Sequence, residues 1–258
     1  MQKPIISFVV TTHSRPALLK RALRSILQSS NSDFEIVLCA DEGEAATFQV
    51  ANSFLRSCDT FLRIPFMKGP SESRNIGARV AKGKRVCFLD DDDTFGENHI
   101  DLLLNLASQK YHHVYFFNYS KTLENRTEEN AVELNRTSRT IYDQDPQSLL
   151  IRNFIPLHAL LYPAELFSKY KFDCNLNTLE DWDFLMNLVT DNIEFEGIDS
   201  PCENVCVHFD PNEHSRNKTN ALDYLSVYRR WPIQDQKIKE LRAKLLKKMG
   251  INVASEFL

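Results

Sequence analysis

The chain has 258 residues, 43% hydrophobic and 26% charged, with a net charge of −4 at pH 7 and a pI near 6.0. These values allow a substantial core and exclude the global basic field expected of a nucleic-acid-binding surface. No run approaches the ~20 apolar residues of a membrane span, and Met1-Gln2-Lys3-Pro4 leads into a strand with no signal-peptide pattern, so a cytoplasmic protein is expected.

Ile5 to Val10 is an apolar, β-branched strand broken only by Ser7. Ser14 is placed to cap the next helix, with Pro16 in its first turn and Leu18, Leu19, Ala22, Leu23, Ile26 and Leu27 at helical spacing. Phe34 to Ala40 is a second strand, ending at Asp41-Glu42-Gly43. A helix to about Arg56 and a strand from Phe61 to Ile64 follow, then breakers at Pro65 and Gly69-Pro70. Ser71 to Ala81 reads as helix and Arg85 to Leu89 as strand, which delivers Asp90 to Asp93. Alternating strands and helices through residue 95 predict βαβ units and a parallel sheet, with ligands beyond the strand carboxyl ends. Thr11-Thr12-His13, Asp41 and the four aspartates all fall there.

Further along, Asn98 to Ser108 reads as helix and Val114 to Tyr119 as an aromatic-rich strand. Lys121 to Asp145 is polar and lacks clear periodicity, so a long mobile or functional loop is expected. Phe154 to Leu161 reads as strand, Leu179 to Leu188 as helix and Val205 to His208 as a last strand. Ile233 to Met249 is an amphipathic helix with Ile238, Leu241, Leu245 and Met249 on its apolar face and lysines elsewhere. The six cysteines are scattered and read as free, buried thiols in a reducing compartment, and the Cys202–Cys206 spacing lacks the second pair of a zinc site. The sequons at Asn118, Asn125, Asn135 and Asn217 read as incidental.

The aspartate run is the most informative feature. Two unit charges 4 Å apart repel by roughly 4 kcal/mol at an effective dielectric of about 20. Folding alone has no use for that cost, and a divalent cation with oxygen ligands, Mg²⁺ or Mn²⁺, would remove it. Read as D-x-D-x-T (Asp90, Asp92, Thr94), the run matches the nucleophile motif of haloacid-dehalogenase-type phosphatases, with Asp90 as nucleophile. That motif usually opens its domain, whereas at least three strands precede it here. A non-catalytic module for sugar nucleotides or glycans is a third possibility.

Read as D-x-D, the run has support on both sides. Ile5 to Pro16 (IISFVVTTHSRP), Phe34 to Gly43 (FEIVLCADEG), Gly69 to Asp93 (GPSESRNIGARVAKGKRVCFLDDDD) and Leu179 to Phe184 (LEDWDF) occur in the order seen in inverting, GT-A fold family 2 glycosyltransferases. The chain resembles that bacterial family over about residues 4 to 190. The resemblance implies an α/β GT-A fold, Rossmann-like in its nucleotide-binding half, with a mixed central sheet flanked by helices. It would comprise a nucleotide-sugar-binding half at 1–95, an acceptor-binding half at 96–215 and a C-terminal helical extension at 216–258. It also implies metal-dependent inverting transfer from a UDP-linked sugar to a glycan or lipid-linked saccharide in cell-surface polysaccharide synthesis.

By the same resemblance, Asp92 is the main metal ligand for Mn²⁺ or Mg²⁺, and Asp93 is an auxiliary one. Asp90 meets the ribose and a metal-bound water. Asp41 accepts from the uracil imide, and Arg74 faces the base or diphosphate. Thr11, His13 and Arg15 belong to the opening nucleotide-binding turn, where His13 stands in place of the usual tyrosine or asparagine and would stack near the base or have no role. Asp181 is the general base and Glu180 contacts or orients the acceptor. His208 is a metal ligand, and His214 with Arg216 belongs to a loop over the diphosphate. Asp91 sits in the nucleotide-binding run, but strand alternation turns its side chain away, which makes Asp91→Asn the mildest of the four substitutions. Trp182 is expected in the core. The lysine-rich tail helix either packs with its solvated face outward or makes peripheral contact with an anionic membrane.

Overall fold

A computed structural model describes residues 3–41, 44–65, 69–109, 112–127, 130–212 and 220–258. The expected acidic turn at Glu42-Gly43, the His214–Arg216 loop and Asn217 lie outside the described residues. Eleven strands and eight α-helices follow one another through the described chain. The first half alternates as β1 (Ile6–Thr12), α1 (Pro16–Leu27), β2 (Phe34–Asp41), α2 (Ala45–Phe54), β3 (Thr60–Ile64), α3 (Gly69–Val80) and β4 (Arg85–Asp90). Then come β5 (Thr94–Phe95), α4 (His99–Ala107), β6 (Val114–Phe117), β7 (Tyr119–Arg126) and β8 (Ala131–Arg139). The last part holds β9 (Leu160–Pro163), α5 (Leu166–Lys169), α6 (Glu180–Thr190), β10 (Phe195–Ile198), β11 (Val205–Phe209), α7 (Ala221–Arg230) and α8 (Gln236–Lys248).

The main sheet runs β10-β6-β9-β4-β1-β2-β3, parallel throughout except for β9, which is antiparallel to both neighbours. Strands β1 and β2 are buried along their whole length, as expected of central strands covered on both faces. Helix α3 packs so closely on β1 that a Cβ on Gly77 would collide with Val9. Both halves of the chain contribute to this one sheet, which therefore continues across residue 95. An aromatic cluster of Phe88, Tyr162, Phe167, Phe172 and Phe184 ties β4 to α5 and α6.

Several expectations change. Ser14 does not cap α1: it adopts φ 49°, and Arg15 takes the N-cap position without a side-chain cap bond. The polar Lys121–Asp145 stretch is largely the β7–β8 hairpin, which joins β11 and β5 in a second sheet of order β5-β11-β7-β8. Its apolar period is weak because the outer strand, β8, is exposed along nearly its whole length. Phe154 to Leu161 is mostly irregular with a 3₁₀ turn at Leu157–Ala159, and strand pairing begins only at Leu160. On α8 the fully buried residues are Arg242 and Leu246, whereas Leu241 is exposed. The face is rotated because Arg242 reaches inward to the carbonyls of Leu150 and Trp231. Among the described residues, no helix is long and apolar enough to cross a membrane.

Candidate active site

Strand β4 delivers four aspartates to one end of the sheet, and each meets its own partners. Asp90 accepts from the Thr11 hydroxyl (2.7 Å), and both its oxygens take Arg74 Nη2 at 2.9 Å. Asp91 is fully buried, accepts from Thr12 (2.6 Å) and forms an ion pair with Arg15. Asp92 Oδ2 takes Arg15 Nη1 (3.1 Å) and Arg126 Nη1 (3.2 Å). Asp93 accepts from the His208 backbone N–H (2.7 Å) and lies 3.2 Å from His158 Nδ1. Three arginines from β1–α1, α3 and β7 therefore offset the repulsion that the sequence alone assigns to a cation. Asp91 turns away from Asp90, but into a buried ion pair, which overturns the expectation of a mild substitution.

Burial raises these carboxyls and the arginines pull them down, so the balance differs along the run. For Asp90 burial is outweighed by Arg74 and Thr11, and its carboxyl falls below the ordinary range. For Asp91 burial wins over Arg15, helped by Asp92, and its carboxyl rises to about 7. Burial next to Asp92 and Asp90 raises Asp93 well above an ordinary carboxyl, and burial lowers its neighbour His158 to about 4.

Behind the aspartates lies a second ionic layer built on Glu124 of β7. Glu124 meets Arg21 Nη1 (2.6 Å), Arg126 Nε (3.0 Å) and His208 Nδ1 (2.6 Å). It is buried, yet those partners outweigh burial and hold its carboxyl at about 2. His208 Nε2 is in turn 2.8 Å from the Thr94 hydroxyl. The ring of His208 thus faces protein groups on both sides, with Nε2 at the Thr94 hydroxyl and Nδ1 at ion-pair distance from Glu124 without hydrogen-bond geometry.

On the other side of Asp90, Arg74 reaches across to α6 and meets Glu180 Oε1 at 2.9 Å. Arg74 is 4% exposed and lies over the Phe172 ring at 5.6 Å, so it bridges two carboxylates rather than facing open space. Burial lowers its guanidinium, but Asp90 and Glu180 raise it further, which fixes the positive charge. Next to Glu180, Asp181 accepts from Asn153 Nδ2 (3.1 Å) and the Trp182 backbone N–H (2.7 Å). Burial, with Glu180 beside it, lifts the Asp181 carboxyl to about 6 against the opposing pull of Arg74. Leu179, at φ 58° and ψ 23°, supplies the sharp entry into α6 that presents both carboxylates. Trp182 is fully buried and donates to the Leu149 carbonyl, as a core residue should.

At the end of β2, Asp41 accepts from the Gly69 N–H (2.9 Å), and its carbonyl lies 2.9 Å from His13 Nδ1. Gly69, at φ 81°, opens α3 with its N–H aimed at that carboxylate. Among the described residues, no group of three His, Cys, Asp or Glu is arranged to hold a metal ion. Of the four aspartates, Asp92 alone keeps a carboxylate oxygen, Oδ1, that no donor among the described residues reaches, and its side chain is 22% exposed. That donor set fits a Mg²⁺ or Mn²⁺ ion held by one carboxylate and completed by substrate phosphates and water, not a closed protein cage.

Residues 7–164 match the family described as Glycosyl transferase family 2. This chain belongs to that family. An uncharacterized glycosyltransferase of Haemophilus influenzae is 26% identical over 227 residues, covering 86% of this chain and 76% of that protein. The GalNAc(5)-diNAcBac-PP-undecaprenol beta-1,3-glucosyltransferase of Campylobacter jejuni is 32% identical over 115 residues, 43% of this chain and 37% of that enzyme. The crystal structure of S. aureus TarS 1-349 in complex with UDP-GlcNAc has the same fold at 15% identity, with a TM-score of 0.70 over 93% of this chain and 71% of that one.

The chain is therefore a glycosyltransferase with the mixed α/β architecture expected of GT-A enzymes. Family membership removes the phosphatase parse of Asp90 and the non-catalytic module. The structure draws together residues of this glycosyltransferase that sequence reasoning passed over: Arg21, Glu124, Arg126, Asn153 and His158. Thr122, Glu124 and Arg126 do alternate on one face of β7, but a strand whose inward face is polar lacks the apolar signature that marks strands in sequence.

Proposed function

We propose that this glycosyltransferase moves a sugar from a UDP-linked donor to a glycan or lipid-linked saccharide in cell-surface polysaccharide synthesis, with inversion at the transferred carbon. The observation that carries this reading is the Arg74 bridge, which joins the strand-end Asp90 to Glu180 and so sets Asp181 beside the aspartate run. The donor class is supported by the UDP-GlcNAc bound in the TarS structure. The acceptor class is supported by the name of the Campylobacter enzyme.

In this reading Asp41 accepts from the uracil imide N–H, Thr11 and His13 line the nucleotide turn, and Asp90 meets the ribose. Arg15 and Arg126 hold Asp92 with its Oδ1 turned free toward the diphosphate. A Mn²⁺ or Mg²⁺ ion on Asp92 would neutralise the charge that develops on the departing diphosphate. Asp181 takes the proton of the acceptor hydroxyl as its oxygen bonds to the anomeric carbon and the carbon–oxygen bond to the diphosphate breaks. A carboxyl near 6 is ionised at neutral pH yet basic enough to hold that proton. Glu180 keeps Arg74 in place, and Asp93 with His208 braces the run from behind.

The test is transfer from a panel of UDP-sugars, paired with calorimetry of UDP with and without Mn²⁺. Asp92→Ala should abolish the metal-dependent part of UDP binding and with it turnover. Metal-dependent UDP binding by Asp92→Ala equal to that of the unaltered protein would overturn the reading.

A further inference from the structure

Asp181, the base of the proposed reaction, has both oxygens held: Oδ1 by the Trp182 N–H (2.7 Å) and Oδ2 by Asn153 Nδ2 (3.1 Å). Trp182 is its neighbour on α6, whereas Asn153 lies outside any helix or strand. A 3₁₀ turn at Pro146–Leu150 ends shortly before Asn153, and the next begins at Leu157. Asn153 Oδ1 accepts from the Ile155 N–H (3.3 Å), which fixes the side of its amide that faces Asp181. The backbone that carries Asn153 has to be held from elsewhere.

Three consecutive carbonyls ahead of Asn153 provide that hold. Leu149 accepts from Trp182 Nε1 (2.7 Å), Leu150 from Arg242 Nε (2.8 Å) and Ile151 from the Tyr228 hydroxyl. Tyr228 of α7 and Arg242 of α8 are both buried, and the guanidinium lies over the Tyr228 ring at 4.4 Å. Arg242 also donates to the Trp231 carbonyl (2.8 Å), and among the described residues no carboxylate reaches it. A buried guanidinium without a counter-ion carries a desolvation cost, so packing alone would favour an apolar side chain at this position. The same end of α7 holds the other side of the contact. Asp183, two residues past Asp181 on α6, accepts from Trp231 Nε1 and Arg230 Nε, each at 2.8 Å. The C-terminal helices thus grip both the turn that carries Asp181 and the segment that carries Asn153, although they lie beyond the residues 7–164 that match the family.

We propose that Tyr228 and Arg242 are positioning residues for Asp181: by pinning the Ile151 and Leu150 carbonyls, they hold the Asn153 amide on the carboxylate that takes the acceptor's proton. The proposal rests on the transferase reading above and adds the C-terminal helices to the parts on which turnover depends. The hydrogen bond from Asn153 favours the ionised carboxylate, so a segment that loses a pin lets the Asp181 carboxyl rise and shifts it from its place. Glu180 of α6, Arg74 of α3, Tyr162 of β9 and Tyr224 of α7 are the other titratable groups that act with Asp181, and the substitutions below leave all four unchanged.

Replacing Arg242 would strip two carbonyls of their donor and threatens folding itself. The test therefore uses Tyr228→Phe, which removes one hydroxyl and keeps the ring on Trp182 and Arg242. The first measurement needs no turnover: the Asp181 carboxyl is titrated by carbon-13 NMR, its signal assigned with Asp181→Asn. Asn153→Ala should move that titration up by about one pH unit, and Tyr228→Phe should move it the same way by less. In the Asn153→Ala background, Tyr228→Phe should have no further effect, because the hydrogen bond it acts through is gone. The second measurement is steady-state transfer from the UDP-sugar that the unaltered chain uses, well below each melting midpoint. Tyr228→Phe should lower kcat about tenfold with donor KM unchanged. A titration that Tyr228→Phe leaves in place, or moves equally with and without Asn153, would overturn the proposal, and so would an unchanged kcat. A titration that shifts as expected in a chain that uses no UDP-sugar would instead strike the transferase reading.

Discussion

The two acidic groups of the site, Asp90–Asp93 at the end of β4 and Glu180–Asp181 at the start of α6, have opposite electrostatic settings. Arg15, Arg74 and Arg126 surround the first, with Thr11 and Thr12 donating to it as well. The second shares a single arginine, and Arg74 spends its contact on Glu180, which leaves Asp181 an amide and a backbone N–H. Asp90 is consequently pushed below the ordinary carboxyl range while Asp181 rises to about 6. One group is built to keep its charge through the reaction and the other to gain and lose a proton. Arg74 is the hinge of the contrast because it belongs to both.

The largest expected effect breaks the proton-exchanging side. Asp181→Asn keeps the shape and one of the two accepting oxygens but cannot take a proton, so kcat should fall by about 10²–10⁴ with donor KM nearly unchanged, as read in steady-state kinetics. The same variant has a signed consequence for stability. A carboxyl raised in the folded state favours folding at acid pH and loses that advantage as pH rises from about 4 to about 6. Asp181→Asn should therefore melt above the unaltered protein at pH 8, and the gain should vanish below pH 4 in calorimetric scans.

Next in size are the ion pairs that hold the charged side. Arg74→Met leaves Asp90 and Glu180 facing each other without a cation. Asp90 and Glu180 keep 30% and 17% exposure, so the cost should be about 2–4 kcal/mol, near the lower end for a broken buried pair. Arg74→Lys should recover part of the stability but little activity, since one ammonium cannot reproduce contacts to both carboxylates. Asp91→Asn strips Arg15 of its buried partner and should lower stability by about 1–3 kcal/mol in urea titrations. A loss smaller than that from Asp93→Asn would restore the view that Asp91 is peripheral.

The β4 group was far more legible in sequence than its surroundings. Apolar runs of four to eight residues place β1, β2 and β4, and the alternation of strands with helices fixes where their ends converge. The carboxylates at 90–93 and 180–181 stand out for the same reason, being charges next to apolar periodicity. Their compensation is not visible there. Arg15 and Arg126 are 111 residues apart, yet both meet Asp92 Oδ2, and Arg126 comes from a strand whose inward face is polar. His208 illustrates the same limit: its place at the end of β11 is readable, but its engagement by Thr94 and Glu124 depends on the pairing of β11 with β5 and β7. A charge run looks unpaired whenever its partners come from distant elements.

The finest test of the contrast is Glu180→Gln, which removes one negative charge from the side that has few cations. Glu180 is the neighbour that, after burial, most raises Asp181, while Arg74 lowers it. With glutamine at 180, Arg74 keeps its charge and its double contact with Asp90, so Asp181 loses a repulsion and retains an attraction. The acid limb of kcat against pH should accordingly move below 6, while the rate at pH 8, where Asp181 is ionised in both proteins, changes several-fold at most. A limb that moves upward would mean that Glu180 acts mainly by holding Arg74 near Asp181, because losing that hold costs Asp181 the attraction of the Arg74 guanidinium. The direction of a shift of less than one pH unit therefore decides whether Arg74 is anchored from the β4 side or from α6.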